Sequence, residues 1–256
     1  MKLCRFTHVA FEQARFGLIE GSTVHVFDAE ANLDALPATP GDQQVSLEEV
    51  TMLAPVTPSK IVCVGRNYLE HAAELGNKMP AEPLLFLKPP SAVIGDGDTI
   101  ELPKESERVE HEGELGVVIA RRARHIAADE DPLSYVLGYT CVNDVTARDL
   151  QRQDVQFTRA KSFDTFCPVG PIIVDEINPL DAEVATRLNG DVKQLARTSS
   201  MAFSVPFLIR YIAGIMTLNP GDLIATGTPA GVSPMKHGDV VEIEIEGIGV
   251  LRNSVN

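Results

Sequence analysis

Downstream of Ser59 the chain alternates short apolar runs with turn clusters, and only a few stretches carry helical spacing. Ile61 to Val64 ends at Gly65, and Leu84 to Lys88 ends at Pro89-Pro90; both predict short strands stopped by residues that suit turns. Val109 to Ala120 first alternates and then turns continuously apolar, as a strand does on entering a core. Gly138 to Asn143, Leu223 to Thr226 and Val240 to Val250 predict further strands. Helix is predicted over Asp131 to Leu137, Thr146 to Gln156 and Phe203 to Leu218. The last opens on Ser204 and Pro206 and stops at Asn219-Pro-Gly-Asp222.

Ahead of Ser59, Phe16 to Glu20, Gly21-Ser22 and Val24 to Phe27 predict a hairpin. Residues 37 to 44 predict a loop, and Pro55-Val-Thr-Pro58 a linker. The organisation expected is a small N-terminal β-domain over 1–56 and a larger unit over 57–256. Strands outnumber helices, with no regular βαβ rhythm and no internal repeat. That predicts a mostly-β fold with some α, not a doubly wound sheet.

Charge narrows the partners. The 256 residues carry a net charge of −14, which repels nucleic acid and anionic membranes unless a basic patch intervenes. Arg121, Arg122 and Arg124 form the densest positive cluster and read as a solvated strand end. The four cysteines form no CxxC pair, so reduced, buried thiols of a cytoplasmic protein are expected. No apolar run reaches the ~20 residues that cross a bilayer. Such an acidic protein can still bind an acidic small molecule if a cation sits in the site.

A candidate cation site lies in Val109-Glu-His-Glu-Gly-Glu-Leu, where period-two alternation puts Glu110, Glu112 and Glu114 on one strand face. Their mutual repulsion and the apolar continuation both favour a hard divalent cation, Mg2+, Mn2+ or Ca2+. Spacing alone does not settle this, because Glu242, Glu244 and Glu246 repeat it on what reads as an ordinary solvated face. The first copy differs by its company: a histidine and glycines inside the strand, and Asp144 at a strand-to-helix junction.

After the strand at 61–64, Gly65-Arg66-Asn67-Tyr68 offers a cation, an amide and a phenol to an anionic substrate. His71 and Glu74, three apart, lie side by side on a helical turn, so the carboxylate can orient the imidazole as a general base. Gly76-Asn77 and Met79-Pro80 end that turn soon, as in a lid. Lys161, flanked by Phe157 and Phe163, could stabilise an enolate. Gln151 could face the Asp144 site, and the loop Ala225 to Gly231 could cradle a carboxylate. Each feature also has a plainer reading: a surface pair, an exposed lysine, a tight turn.

Together these pieces resemble the fumarylacetoacetate hydrolase family. The motifs are GRNYLEHAAE (65–74), PLLFLKPPSAV (83–93), EHEGELGVVI (110–119), NDVTARDLQ (143–151), AKSFDTFCPVGP (160–171) and GDLIATGTPAGV (221–232). The resemblance implies a mixed β-sandwich roll, usually a homodimer, holding Mg2+ or Mn2+ on Glu112, Glu114 and Asp144, with Glu110 outside the set. It implies a catalytic His71–Glu74 pair and contacts from Arg66, Gln151, Lys161 and Thr228 to an oxo-acid. The short N-terminal region is similar to that of small bacterial members, which argues against fumarylacetoacetate as substrate.

The activity so implied is cleavage of a C–C bond through a metal-bound enolate, by acylpyruvate hydrolysis or oxaloacetate decarboxylation. Two alternatives stand beside it. One is an isomerase of hydroxymuconate-type diacids in aromatic catabolism; the other is a metal-stabilised protein that binds a ligand without turning it over.

Overall fold

The computed structural model of the chain describes residues 1–27, 39–74 and 76–256. Its centre is a 12-stranded sheet. Gly113–Ile119, Val136–Asn143 and Cys167–Val174 pair antiparallel in its middle. Leu223–Ala225, Ile61–Gly65 and Leu84–Lys88 extend it on one side. On the other side Lys2–Thr7 pairs with Cys167–Val174 at Lys2↔Val174 and Leu3↔Ile173, so the N-terminal strands continue the same sheet. Pro55, Val56 and Pro58 of the segment predicted as a linker are buried, with Val56 1% exposed in a core cluster with Ile61 and Cys63. The predicted hairpin closes between Arg15–Glu20 and Thr23–Val26 around Gly21, whose φ of 60° suits glycine. Of the predicted loop at 37–44, residues 37 and 38 lie outside the described residues, and Gln44 already opens a strand.

A five-stranded sheet of Asp191–Arg197, Glu183–Leu188, Val240–Ile245, Gly249–Val255 and Thr99–Ile100 lies against the large one. Leu115, Val117 and Ile119, every second residue of the central strand, join Val184, Val241, Ile243 and Leu251 in the core between the sheets. Val118 and Val142 point the other way, into the cluster holding Ile61, Cys63 and Leu223. The sheets approach closely at Gly113, where a Cβ would stand 2.1 Å from Thr186 Oγ1. Only glycine fits between Glu112 and Glu114.

Among the described residues four α-helices occur, all short: α1 (Leu69–Glu74), α2 (Arg148–Gln153), α3 (Thr158–Lys161) and α4 (Val205–Ile215). The α4 helix buries Val205, Leu208, Ile209 and Ile212, the i, i+3, i+4, i+7 stripe its sequence predicted. Four predicted elements differ. Val240 to Val250 is not one strand: Val240–Ile245 turns at Gly247 and pairs antiparallel with Gly249–Val255. Strand 109–120 breaks at His111–Glu112, and Val109–Glu110 pairs instead with Thr146–Ala147 in a two-stranded ribbon. That ribbon takes the first residues of the helix predicted from Thr146, which starts at Arg148, its N–H donating to Arg108 O at 2.7 Å. The helix predicted over 131–137 is one tight turn, Pro132–Tyr135, because pairing with the central strand takes the chain from Val136 onward. Among the described residues no helix is long and apolar enough to cross a membrane.

Candidate active site

Two neighbouring strands deliver the acidic cluster. Gly113 and Asn143 are register partners, so Glu112 and Asp144 lie just beyond the paired ends. Asp144 N donates to Glu112 O at 2.9 Å, and Glu112 N donates to Asn143 Oδ1 at 3.0 Å. Glu114 follows on the central strand. One carboxylate oxygen from each of Glu112, Glu114 and Asp144 lies within 4.8 Å of the others, and all three side chains are buried.

Burying three carboxylates requires nearby cations, and the fold supplies them from three directions. Lys161, at the end of α3, donates to Glu112 Oε2 at 2.8 Å and to Asp144 Oδ2 at 2.6 Å. Lys88, closing the edge strand, donates to Asp144 Oδ1 at 2.6 Å. Arg148, opening α2, pairs with the other oxygen of Glu112 and reaches Glu110 Oε2 at 2.6 Å and Gln151 Oε1 at 2.6 Å. Glu110 also receives Arg108 Nε at 2.6 Å. Both its oxygens are therefore engaged by arginines, and it does not line the site. The strand break at His111–Glu112 explains why period-two counting alone could not separate it from the others.

Electrostatics divides the triad. Burial would raise the Glu112 carboxyl, but the charges of Lys161 and Arg148 outweigh it and hold the group well below the carboxylate range. Burial pushes Glu114 well above that range, reinforced by the charges of Asp144 and Glu112 and opposed by Lys161 and the Gly227 N–H. Lys161 is raised: its burial is outweighed by the charges of Asp144 and Glu112. Among the described residues Glu114 has no ion-pair partner; its one hydrogen bond comes from Gly227 N at 2.7 Å. Three hard oxygen donors, one of them buried without a cation, fit a divalent metal ion, which the triad could hold.

The triad forms one wall of a cavity of about 280 Å3. His71, Arg66, Gln151, Arg152, Lys161 and Thr228 are among the residues that line the other walls, with Phe86 and Phe157 in edge-to-face contact at 5.6 Å. Arg66 enters at the end of strand Ile61–Gly65 through a left-handed turn, φ 57°, a conformation costly for a residue with a Cβ. His71 Nδ1 stands 3.3 Å from Glu74 Oε2, and both Glu74 oxygens accept from Gly231 N at 3.1 and 3.2 Å. The segment predicted as a lid is thus fastened to the glycine loop.

Two predicted ligand contacts lie elsewhere. Asn67 donates to Phe203 O at 3.0 Å and Thr226 O at 2.7 Å and accepts from Phe203 N at 2.8 Å. Its amide clamps α1 to two loops, leaving no group for a substrate. Tyr68 is outside the cavity wall; among the described residues its buried hydroxyl has no hydrogen-bond partner, and burial followed by the Glu114 charge raises it. Sequence reasoning missed Lys88, Arg148 and Arg152. The only available signal was a lysine ending the apolar run Leu84–Leu87, where the strand's buried face demands a partner for it.

Residues 60–256 match the fumarylacetoacetate (FAA) hydrolase C-terminal family, and residues 1–55 match the Rv2993c-like N-terminal unit. The chain belongs to the fumarylacetoacetate hydrolase family. It is 43% identical to oxaloacetate tautomerase YisK of Bacillus subtilis, over 84% of this chain and 76% of the relative. It is 44% identical, with a TM-score of 0.89, to the crystal structure of 2-hydroxyhepta-2,4-diene-1,7-dioate isomerase from Mycobacterium marinum, covering 100% of this chain and 98% of that one. A maleylpyruvate hydrolase from Sphingobium, solved with manganese(II) and pyruvate, is 32% identical with a TM-score of 0.80 over 100% and 98% of the two chains.

Proposed function

We propose that the chain is a divalent-metal-dependent enzyme that moves a proton on a small 2-oxo dicarboxylate, interconverting the keto and enol forms of an oxaloacetate-like substrate. The observation that carries this reading is that His71, backed by Glu74, lines the same cavity as the three carboxylates. Glu112, Glu114 and Asp144 would hold Mg2+ or Mn2+, which when bound polarises a 2-oxo group and acidifies the adjacent C–H. With Nδ1 turned to Glu74, His71 keeps Nε2 for the ligand and can take the proton from the carbon and return it. Arg66 and Arg152 supply positive charge for the second carboxylate, and Gln151, oriented by Arg148, supplies an amide.

Cleavage of a C–C bond, favoured from the sequence, is the second reading. The same dyad could deprotonate water, and the Sphingobium relative, a hydrolase, was solved with manganese and pyruvate. An isomerisation of the kind named for the Mycobacterium marinum relative, a 2-hydroxyhepta-2,4-diene-1,7-dioate isomerase, requires only the proton movement. The test supplies Mn2+ and follows, side by side, loss of enol-oxaloacetate, release of pyruvate and loss of an acylpyruvate. Tautomerisation should be fastest and should fall at least ~100-fold in His71→Ala. Pyruvate release or acylpyruvate cleavage outpacing it would replace the leading reading with the second. No metal-dependent turnover of any of them would leave a binding protein.

A further inference from the structure

The strand Asp191–Arg197 is turned inside out: Val192 and Leu195 are 54% and 60% exposed, whereas Gln194 is fully buried. A buried primary amide is costly unless all its groups are bonded. Here they are. Gln194 Oε1 accepts from Gly113 N at 3.0 Å and faces His111 Nδ1 at 3.2 Å. Gln194 Nε2 donates to Pro229 O and to Thr228 Oγ1, both at 2.7 Å. Gly113 N can only donate and Pro229 O can only accept, so the amide has one orientation. His111 must then carry a proton on Nδ1, and in the neutral ring its Nε2 accepts from Ser233 Oγ at 2.8 Å.

The consequences run into the site. Thr228 receives the amide proton and therefore sends its own to Gly113 O, 2.9 Å away. Both polar groups of Gly113, the spacer between Glu112 and Glu114, are thus held from the second sheet through Gln194. The same amide grips Pro229, in the loop whose Gly227 N–H meets Glu114 and whose Gly231 N–H meets Glu74. That loop lies on the backbone beside Gln194: a Cβ at Gly231 would stand 1.9 Å from Lys193 O.

We propose that Gln194 is a positioning residue that sets the spacing of the two glutamates and seats the 227–231 loop, so that the triad can accept a divalent cation. This rests on the metal-site reading given above. The test uses Gln194→Glu, which keeps the acceptor for Gly113 and His111 but removes both donated bonds, and Mn2+ alone as probe in calorimetry. The added negative charge by itself would tighten Mn2+ binding; lost positioning weakens it, so the two effects differ in sign. Mn2+ affinity should fall ~10-fold or more, the range seen when groups behind metal ligands are removed. Near-UV circular dichroism should stay native. Thr228→Val breaks the chain while leaving Gln194 in place and should reproduce the loss if Gln194→Glu does not fold; Thr228→Ser should rescue it. Wild-type protein that binds Mn2+, with folded variants binding it equally or more tightly, would overturn the positioning role alone. Wild-type protein that binds no Mn2+ would overturn the metal site as well.

Discussion

The Lys88 ammonium lies 2.6 Å from Asp144 Oδ1, and both side chains are almost wholly shut off from solvent. Lys88 also donates to Val145 O at 3.1 Å and does not reach the cavity wall. It therefore acts on Asp144 from behind, and removing it would leave a buried carboxylate with Lys161 as its remaining cation. Lys88→Met should lower the free energy of unfolding by about 3–5 kcal/mol, as when one partner of a buried pair is deleted. Combining it with Asp144→Asn should recover part of the loss, since the buried carboxylate left with one cation instead of two is gone. Urea unfolding of the two variants and wild type measures both; an unchanged stability in Lys88→Met would show that the pair is not closed to water.

Glu110 and Glu114 share a strand face in the sequence but not an environment in the fold. Glu110 is held by Arg108 and Arg148, whereas Glu114 has a single N–H donor and two acidic neighbours. Glu114→Gln should weaken Mn2+ binding by more than ~100-fold, beyond the range for groups behind the ligands. Glu110→Gln should leave Mn2+ affinity near wild type while costing about 1–3 kcal/mol of stability, because the amide offers one acceptor and no charge to the two arginines that Glu110 holds. Calorimetric titration and urea unfolding separate the two effects. Equal losses of affinity would mean that the cation sits on a different set of oxygens.

These contrasts mark how far the sequence reaches. The stripe on α4 is a local pattern, visible along the chain because burial repeats at the helical period; the alternation around Glu112 is visible too, but every residue from Val109 to Ile119 is buried, so it is a pattern of residue types and not of exposure. Asp144 was legible as a strand-end carboxylate, and the family motifs separated it and Glu112 from Glu110. Lys88 and Gln194 were not legible. Their roles depend on partners 56 residues away for Lys88 and 81 residues away for the Gln194–Gly113 bond, which only sheet pairing brings together. Asn67 misled because an amide beside an arginine suits a ligand as well as it suits a backbone clamp.

The four thiols make an alkaline prediction. All are buried, and burial pushes Cys4 and Cys167 from 9.0 up to about 12. An acid whose pKa is raised by folding is neutral in the native state and ionises first in the unfolded one. Its stabilisation is complete below pH 9 and is lost as pH rises from 9 toward 12. Each such thiol should remove roughly 1 kcal/mol between pH 9 and pH 10. Cys167→Ala should flatten that slope by the same amount in urea unfolding measured across the interval, whatever it does to stability at pH 7. An identical slope in the variant would mean that the native state lets the thiol ionise.

Gly231 ties the proposed His71–Glu74 pair to the fold. Its N–H is held by both oxygens of Glu74, its φ is 104°, and the space for a Cβ is filled by Lys193 O at 1.9 Å. Gly231→Ala must therefore move the loop away from the strand, taking the N–H from Glu74 and loosening the orientation of His71. Gly190 provides the control: its φ of 85° makes alanine equally unwelcome in backbone terms, but nothing lies within 4 Å of the added carbon. Gly190→Ala should cost about 1 kcal/mol of stability and leave turnover intact, the strain of a left-handed alanine and nothing more. Gly231→Ala should cost more than that and lower kcat by ~10-fold or more through the lost alignment of the base. Mn2+ affinity should fall less than kcat, because Gly227, not Gly231, faces Glu114. Steady-state kinetics beside urea unfolding decides it: full activity in Gly231→Ala would mean that Glu74 orients His71 without help from the loop.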